Sequence, residues 1–162
     1  MGEIPVLEAD GERLTQTAPI LLQLAEQYGR FGGETAKEKF EVLRWLFWDN
    51  HKLTGYMATY RYYRTFTRSP VPQVLQHFRK RIDDFLGIIE QHLERNAFAI
   101  GEKPTVADFS MMAYLSYPSD ETGYELAVSH PAVNGWLQRI ATLPGWRSAY
   151  DLLPGKRLTH YA

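Results

Sequence analysis

The first 31 residues of this chain constrain it most, because they supply two short strands and one helix but no means of closing a core around them. From Glu3 to Leu7 the sequence is short, apolar and β-branched, with a proline inside it; Arg13-Leu14-Thr15 resumes an extended run after Asp10-Gly11. An Asp-Gly pair between two such runs predicts a β-hairpin. Pro5 cannot donate to a ladder, which places it at an edge, at a bulge or in a cis bend. A helix follows: Thr17 is a suitable N-cap, Pro19 is tolerated in a first turn, and Ile20, Leu24 and Tyr28 repeat at helical spacing. Gly29, Gly32 and Gly33 end it, and the boundary between two units is expected between Tyr28 and Glu34. A lone hairpin is marginal in water and one helix covers only one of its faces, so this fragment needs a further surface to pack against.

The remainder reads as helical. Phe40, Leu43, Phe47, Thr54 and Met57 lie near one face of a long helix expected from about Thr35 to Phe66, and Ser69-Pro70-Val71-Pro72 breaks it. Val74, Phe78, Ile82, Phe85, Ile89 and Leu93 predict a second amphipathic helix. The stretch Thr105 to Tyr117 is apolar on most sides, which predicts burial. Val133, Trp136, Leu137 and Ile140 mark a fourth helix, and Leu152-Leu153 a short closing element. The expected architecture is therefore mainly α: a ββα fragment over residues 1–31 and an all-helical domain over 35–162.

Composition removes several classes of function. With 44% apolar and 23% charged residues the chain is globular rather than disordered. A net charge of −1 supplies no field for nucleic acid or an anionic membrane. No uninterrupted apolar run approaches the roughly 18 residues of a membrane span. The absence of cysteine excludes disulfides, thiolate zinc sites and a cysteine nucleophile within these residues, and with an N-terminus unlike a signal peptide it predicts a cytoplasmic setting. The five histidines, at 51, 77, 92, 130 and 160, show no ligand spacing, so no metal site is expected. Asp49 and His51 point to different sides of a helix, and Ser110 and Ser119 lack a nucleophile-elbow context. The basic, aromatic stretch Arg61 to Arg68 is read as a solvated helix face, since Arg79-Lys80-Arg81 nearby is offset by Asp83-Asp84.

Two short motifs carry chemistry. Thr17 opens a helix whose free N–H groups and dipole favour a carboxylate, with Gln16 beside it as a second polar group. Thr105 and Asp108 have capping-box spacing just before the buried helix, which is a folding signature. The string Ile4-Pro5-Val6-Leu7, Asp10-Gly11, Leu14-Thr15-Gln16-Thr17, followed downstream by Gly101 and Thr105-Val106-Ala107-Asp108, resembles the cytosolic glutathione S-transferases. In that resemblance the chain begins partway through the thioredoxin-like, glutathione-binding domain.

The resemblance implies roles residue by residue. The peptide of Ile4, before a cis Pro5, would face the cysteinyl part of glutathione, and Gln16 and Thr17 would grip its γ-glutamyl end. The aromatic helix with Trp45, Trp48, Tyr56 and Tyr60 would line a pocket for a hydrophobic co-substrate and contribute to a dimer interface. Thr105 and Asp108 would be structural. Family members carry their catalytic tyrosine, serine or cysteine in a strand–helix–strand unit that precedes the matched segment, so no catalytic residue is assigned among these 162. The implied activity is conjugation of glutathione to a hydrophobic electrophile, glutathione being substrate or ligand with no further cofactor; the alternative is a non-catalytic binding or scaffold module on the same fold. A homodimer is expected, because the bare strand edge would recruit a second copy or be covered by helices.

Overall fold

The computed structural model describes residues 2, 4–153 and 161. Strands β1 (Val6–Ala9) and β2 (Glu12–Thr15) pair antiparallel, with Val6 opposite Thr15 and Leu7 opposite Leu14. Both turn residues have positive φ, 52° at Asp10 and 81° at Gly11, the backbone hand that matches the twist of a tight hairpin. The Ile4–Pro5 peptide is cis and β1 starts after it; Glu3, expected at the start of the strand, lies outside the described residues.

Helix α1 (Thr17–Tyr28) begins one residue away from the expected arrangement. Gln16 holds the cap position, Thr17 is the first helical residue, and no side chain of the cap bonds the first turn. The chain reverses at Gln16 through its own backbone, φ 73° and ψ 134°, so Thr17 is already inside the helix and cannot cap it. At the other end Gly29 takes φ 61°, and the N–H groups of Gly29 and Arg30 close on the carbonyls of Glu26 and Ala25.

The single long helix expected over 35–66 is three segments: α2 (Ala36–His51), α3 (Leu53–Arg61) and a π-helical turn (Tyr62–Phe66). The phase breaks at Lys52, φ −112° and ψ −83°. A stripe drawn through the break therefore misassigns the buried face. Val42, Trp45, Leu46 and Asp49 point inward, whereas Phe40 and Phe47 are 72% and 75% exposed. A reciprocal capping box starts α2: Glu38 N–H donates to Thr35 Oγ1, and Thr35 N–H donates to Glu38 Oε2 at 3.0 Å. Glu34 N–H adds a second bond at 2.7 Å, and these backbone bonds hold the Glu38 carboxyl below its ordinary range.

Beyond Pro72, which occupies a first-turn position, α4 (Pro72–Leu93) buries Ile82, Phe85, Leu86, Ile89 and Leu93. Helix α5 (Val106–Leu115) is buried on most sides, as its composition implies. Two short helices, α6 (Ser119–Thr122) and α7 (Leu126–Ser129), lead into α8 (Pro131–Ala141), which buries Val133, Trp136 and Ile140. The closing element is α9 (Ala149–Leu152), and it leaves Leu152 and Leu153 exposed.

One large core joins α2, α3, α4, α5 and α8. A second, smaller cluster of Ala25, Val42, Leu46 and Val106 seats α1 on α2 and α5. Leu21, Leu22 and Phe31 pack against it. The surface that the hairpin fragment requires is thus supplied in part by the helical body, through α1. Among the described residues no helix is long and apolar enough to cross a membrane.

Candidate functional site

The hairpin register determines which polar groups meet. Because Val6 pairs with Thr15, the chain leaves the ladder with Ile4–Pro5 and Gln16–Thr17 at the same end of the hairpin. Ile4 is 93% exposed there. Gln16 holds a backbone conformation that residues with a Cβ seldom enter, at a cost on the order of 1–3 kcal/mol. With no acidic residue in the first turn of α1 and no side-chain cap, the helix end offers N–H groups and positive dipole to an anionic ligand. A carboxylate is the natural complement of that end, and the exposed Ile4 beside it precedes a cis peptide to Pro5.

The four aromatic candidates form a wall between α2, α3 and α4, and they differ in what they can offer a ligand. Trp45 and Tyr60 are 4% and 6% exposed and belong to the core. Trp45 sits 5.5 Å from Trp48 and 4.9 Å from the His92 ring, while Tyr60 packs edge-on to Tyr124. Trp48 and Tyr56 are only partly buried; both lean on Phe85, at 5.9 and 5.5 Å between ring centroids. Trp48 and Tyr56 thus keep part of their ring surface exposed, whereas Trp45 and Tyr60 are core.

Thr105 and Asp108 are brought together as their spacing implies, and more is attached to them than a helix cap. Asp108 is fully buried. Its Oδ1 accepts from Ala99 N–H at 2.7 Å and from Trp136 Nε1 at 2.9 Å. Its Oδ2 accepts from the Thr105 N–H and hydroxyl at 2.8 and 3.0 Å. One carboxylate therefore ties the 99–105 loop, α5 and α8 together. All this bonding is structural, and it leaves no geometry for proton transfer to a ligand.

A cleft of about 950 Å³ lies at the other end of α1 from Gln16. It runs between the C-terminal half of α1, the start of α2 and the 100–105 loop, with Leu22, Phe31, Leu43, Ile100 and Lys103 among its walls. Of the candidate residues only Thr105 lines it. Among the described residues no group of three histidine or carboxylate side chains is placed to hold a metal; His160 lies outside the described residues.

Two buried polar constellations lie outside the residues that the sequence analysis singled out as candidates. The first joins Arg61 to Glu121 across 60 positions of sequence, with the Tyr150 hydroxyl donating to Glu121 at 2.5 Å. The second is Asp49, fully buried, accepting from Ser110 Oγ at 2.5 Å and Thr54 Oγ1 at 2.8 Å. A signal for Asp49 was present: it falls on the same helical stripe as Val42, Trp45 and Leu46.

Burial pushes the Asp49 carboxyl above its ordinary value, only partly countered by the two hydroxyl bonds. The folded protein thus holds this proton more tightly than the unfolded chain. The stabilisation is complete at pH values below the ordinary aspartate pKa and is lost as pH rises through the elevated one. Asp49→Asn keeps an oxygen acceptor and abolishes that loss. Urea denaturation at pH 4 and pH 7.5 should show the variant gaining on the wild type at the higher pH; a larger deficit at pH 7.5 than at pH 4 would contradict this account.

Comparison with known proteins finds relatives along most of the chain. The family profile described as "Glutathione S-transferase, C-terminal domain" matches residues 53–147. The chain is 24% identical over 131 residues to the disulfide-bond oxidoreductase YfcG of Escherichia coli K12, covering 81% of this chain and 60% of that protein. It is 25% identical over 158 residues to glutathione S-transferase F14 of Arabidopsis thaliana, covering 90% of this chain and 61% of that one. The chain thus spans about three fifths of the length of these curated relatives. A crystal structure of a glutathione S-transferase from Xanthobacter autotrophicus Py2 superposes with a TM-score of 0.82 at 31% identity, over 94% of this chain and 76% of that one. Ure2p in complex with S-p-nitrobenzylglutathione shares the fold, with a TM-score of 0.76 at 17% identity over 87% of this chain and 69% of that one. Matched through most of its helical body by the family profile, and aligned along three quarters of a solved member at 31% identity, the chain belongs to the glutathione S-transferase family.

Proposed function

We propose that this chain binds glutathione at the Gln16–Thr17 end of α1 and serves glutathione transfer to a hydrophobic electrophile. The observation that carries the reading is Gln16. The arrangement sets a strained backbone, at a helix start with no side-chain cap, beside the exposed Ile4–Pro5 segment. It suits a ligand that is a peptide on one side and a carboxylate on the other. The backbone of Ile4, positioned by Pro5, takes the cysteinyl unit. Gln16 and the N–H groups from Thr17 onward take the γ-glutamyl carboxylate and amine. Trp48 and Tyr56, backed by Trp45 and Tyr60, hold the electrophile. No residue of this chain is assigned to activating the thiol.

Calorimetric titration with reduced glutathione tests the site. Saturable binding is expected, weakened at least tenfold in Gln16→Ala/Thr17→Ala, since that variant loses side chains and leaves the helix end intact. Absence of heat from the wild type at millimolar glutathione would overturn the reading and favour a non-catalytic scaffold. The relatives carry both transferase and disulfide-oxidoreductase names, so activity is best assayed with an aryl halide and with a disulfide in parallel.

The assembly we propose is a cytoplasmic homodimer. Phe40 and Phe47 present an outward apolar stripe on α2, and among the described residues β1 pairs on one edge alone; both are surfaces that a second copy would cover. Sedimentation equilibrium should give a dimer that Phe40→Lys/Phe47→Lys converts to monomer. A wild-type monomer at 50 µM (about the working range of the method) would refute the dimer alone.

A further inference from the structure

Beside the packing of Ala25, Leu21 and Leu22, α1 is tied to the helical body through the linker residue Phe31, whose conformation is unusual. It has φ 66°, a left-handed backbone at a bulky side chain, although glycines stand at the next two positions. Phe31 is also the residue whose two ends both reach α5. Its carbonyl accepts the N–H of Val106, the first residue of that helix, at 2.9 Å. Its ring meets Phe109 edge-on at 5.0 Å, and the Arg30 guanidinium stands 4.9 Å over the ring. The Val106 N–H is one of the donors a helix start leaves without an internal partner, so the linker completes α5 while α5 clamps the linker.

We propose that Phe31 is a positioning residue: it sets the angle at which α1 carries the glutathione end toward the aromatic wall of the helical body. The inference rests on the glutathione reading above. Helix α1 has 12 residues and is about 18 Å long, so a rotation of about 3° at the clamp displaces its far end by about 1 Å. Misplacement on that scale matters for a ligand held at two points. Glutathione alone is recognised by Ile4, Gln16 and Thr17, which move together with α1 and the hairpin. A glutathione conjugate also touches Trp48 or Tyr56, which do not. Loosening the clamp therefore separates the two affinities, an effect that a uniform loss of stability does not produce.

The experiment measures dissociation constants of reduced glutathione and S-p-nitrobenzylglutathione for the wild type, Phe31→Val, Phe31→Tyr and Phe31→Asn. Valine opposes the left-handed backbone and removes the ring; tyrosine keeps the ring; asparagine tolerates the backbone and loses the ring. Phe31→Val should hold glutathione within about threefold of wild type, lose at least tenfold for the conjugate, and speed amide exchange at Val106. Phe31→Tyr should restore both affinities. Where Phe31→Val fails to fold, Phe31→Asn decides: conjugate affinity lowered at least threefold at unchanged glutathione affinity supports the proposal, and no difference overturns it. Equal loss for both ligands, or loss for neither, overturns it while leaving the glutathione site standing. A wild-type chain that binds neither ligand overturns the glutathione reading and this inference with it.

Discussion

Replacing Asp108 with alanine should destabilise the fold by about 3–5 kcal/mol, the range expected when a buried carboxylate with several donors is removed. Four donors lose their acceptor at once: the backbone N–H groups of Ala99 and Thr105, the Thr105 hydroxyl and the Trp136 indole. The hydroxyl can turn to another acceptor, but the other three are fixed by backbone or by packing, and each orphaned donor costs about 1–3 kcal/mol. Trp136 is fully buried in the large core, so water does not reach its indole without a rearrangement of α8. Asp108→Asn should retain about half of the stabilisation. Its one oxygen can serve Ala99 and Trp136, but its amide then faces the Thr105 N–H, donor against donor. Such losses are a large part of the roughly 5–15 kcal/mol that holds a domain together. Urea denaturation at 10 °C, followed by tryptophan fluorescence, would measure them, and a deficit below about 1 kcal/mol in Asp108→Ala would show that the carboxylate is dispensable.

Arg61→Met should cost a similar amount, about 3–5 kcal/mol, because it removes the cation from a fully buried Glu121. The Arg61 guanidinium also stands 3.6 Å over the Tyr117 ring and donates to the Tyr150 hydroxyl at 3.1 Å. Arg61 thereby connects α3 to α6 and α9, and its loss should loosen α9 first. The double variant Arg61→Met/Glu121→Leu should recover most of the loss, since a well-packed apolar pair often matches a buried ion pair. A double variant as unstable as Arg61→Met alone would place the cost in packing rather than in charge.

The elements that could be read in advance are those whose cause is local. Asp10-Gly11 specifies a tight turn by its own backbone preferences, and Ser69-Pro70-Val71-Pro72 ends the helical run before it because proline cannot continue a helix. Thr105 and Asp108 are three residues apart, so their pairing follows from the geometry of one helical turn. The same applies to the buried faces of α4 and α8, each a single unbroken period. The α2 face was misread because Lys52 carries no breaking residue type. What marks the break in space is Asp49, bonded across it to Thr54 and from another helix by Ser110. Gln16 and Thr17 were legible as a polar pair at a helix start, but not which of them would hold the cap. That depends on the hairpin register and on the angle at which the chain enters α1.

By itself the sequence determined that this chain is a short hairpin and helix followed by a helical body, and that its polar motifs stand at helix starts. Those properties arise from interactions between residues within about four positions of one another, where the backbone leaves few choices. Tertiary structure alone decided that Phe40 and Phe47 face outward, that Trp45 and Tyr60 are core while Trp48 and Tyr56 keep surface, and that Glu121 meets Arg61. It also gave Phe31, rather than a neighbouring glycine, the left-handed turn that binds α1 to α5. Each of those outcomes depends on which distant segments share a core, and helical periodicity carries no information about that.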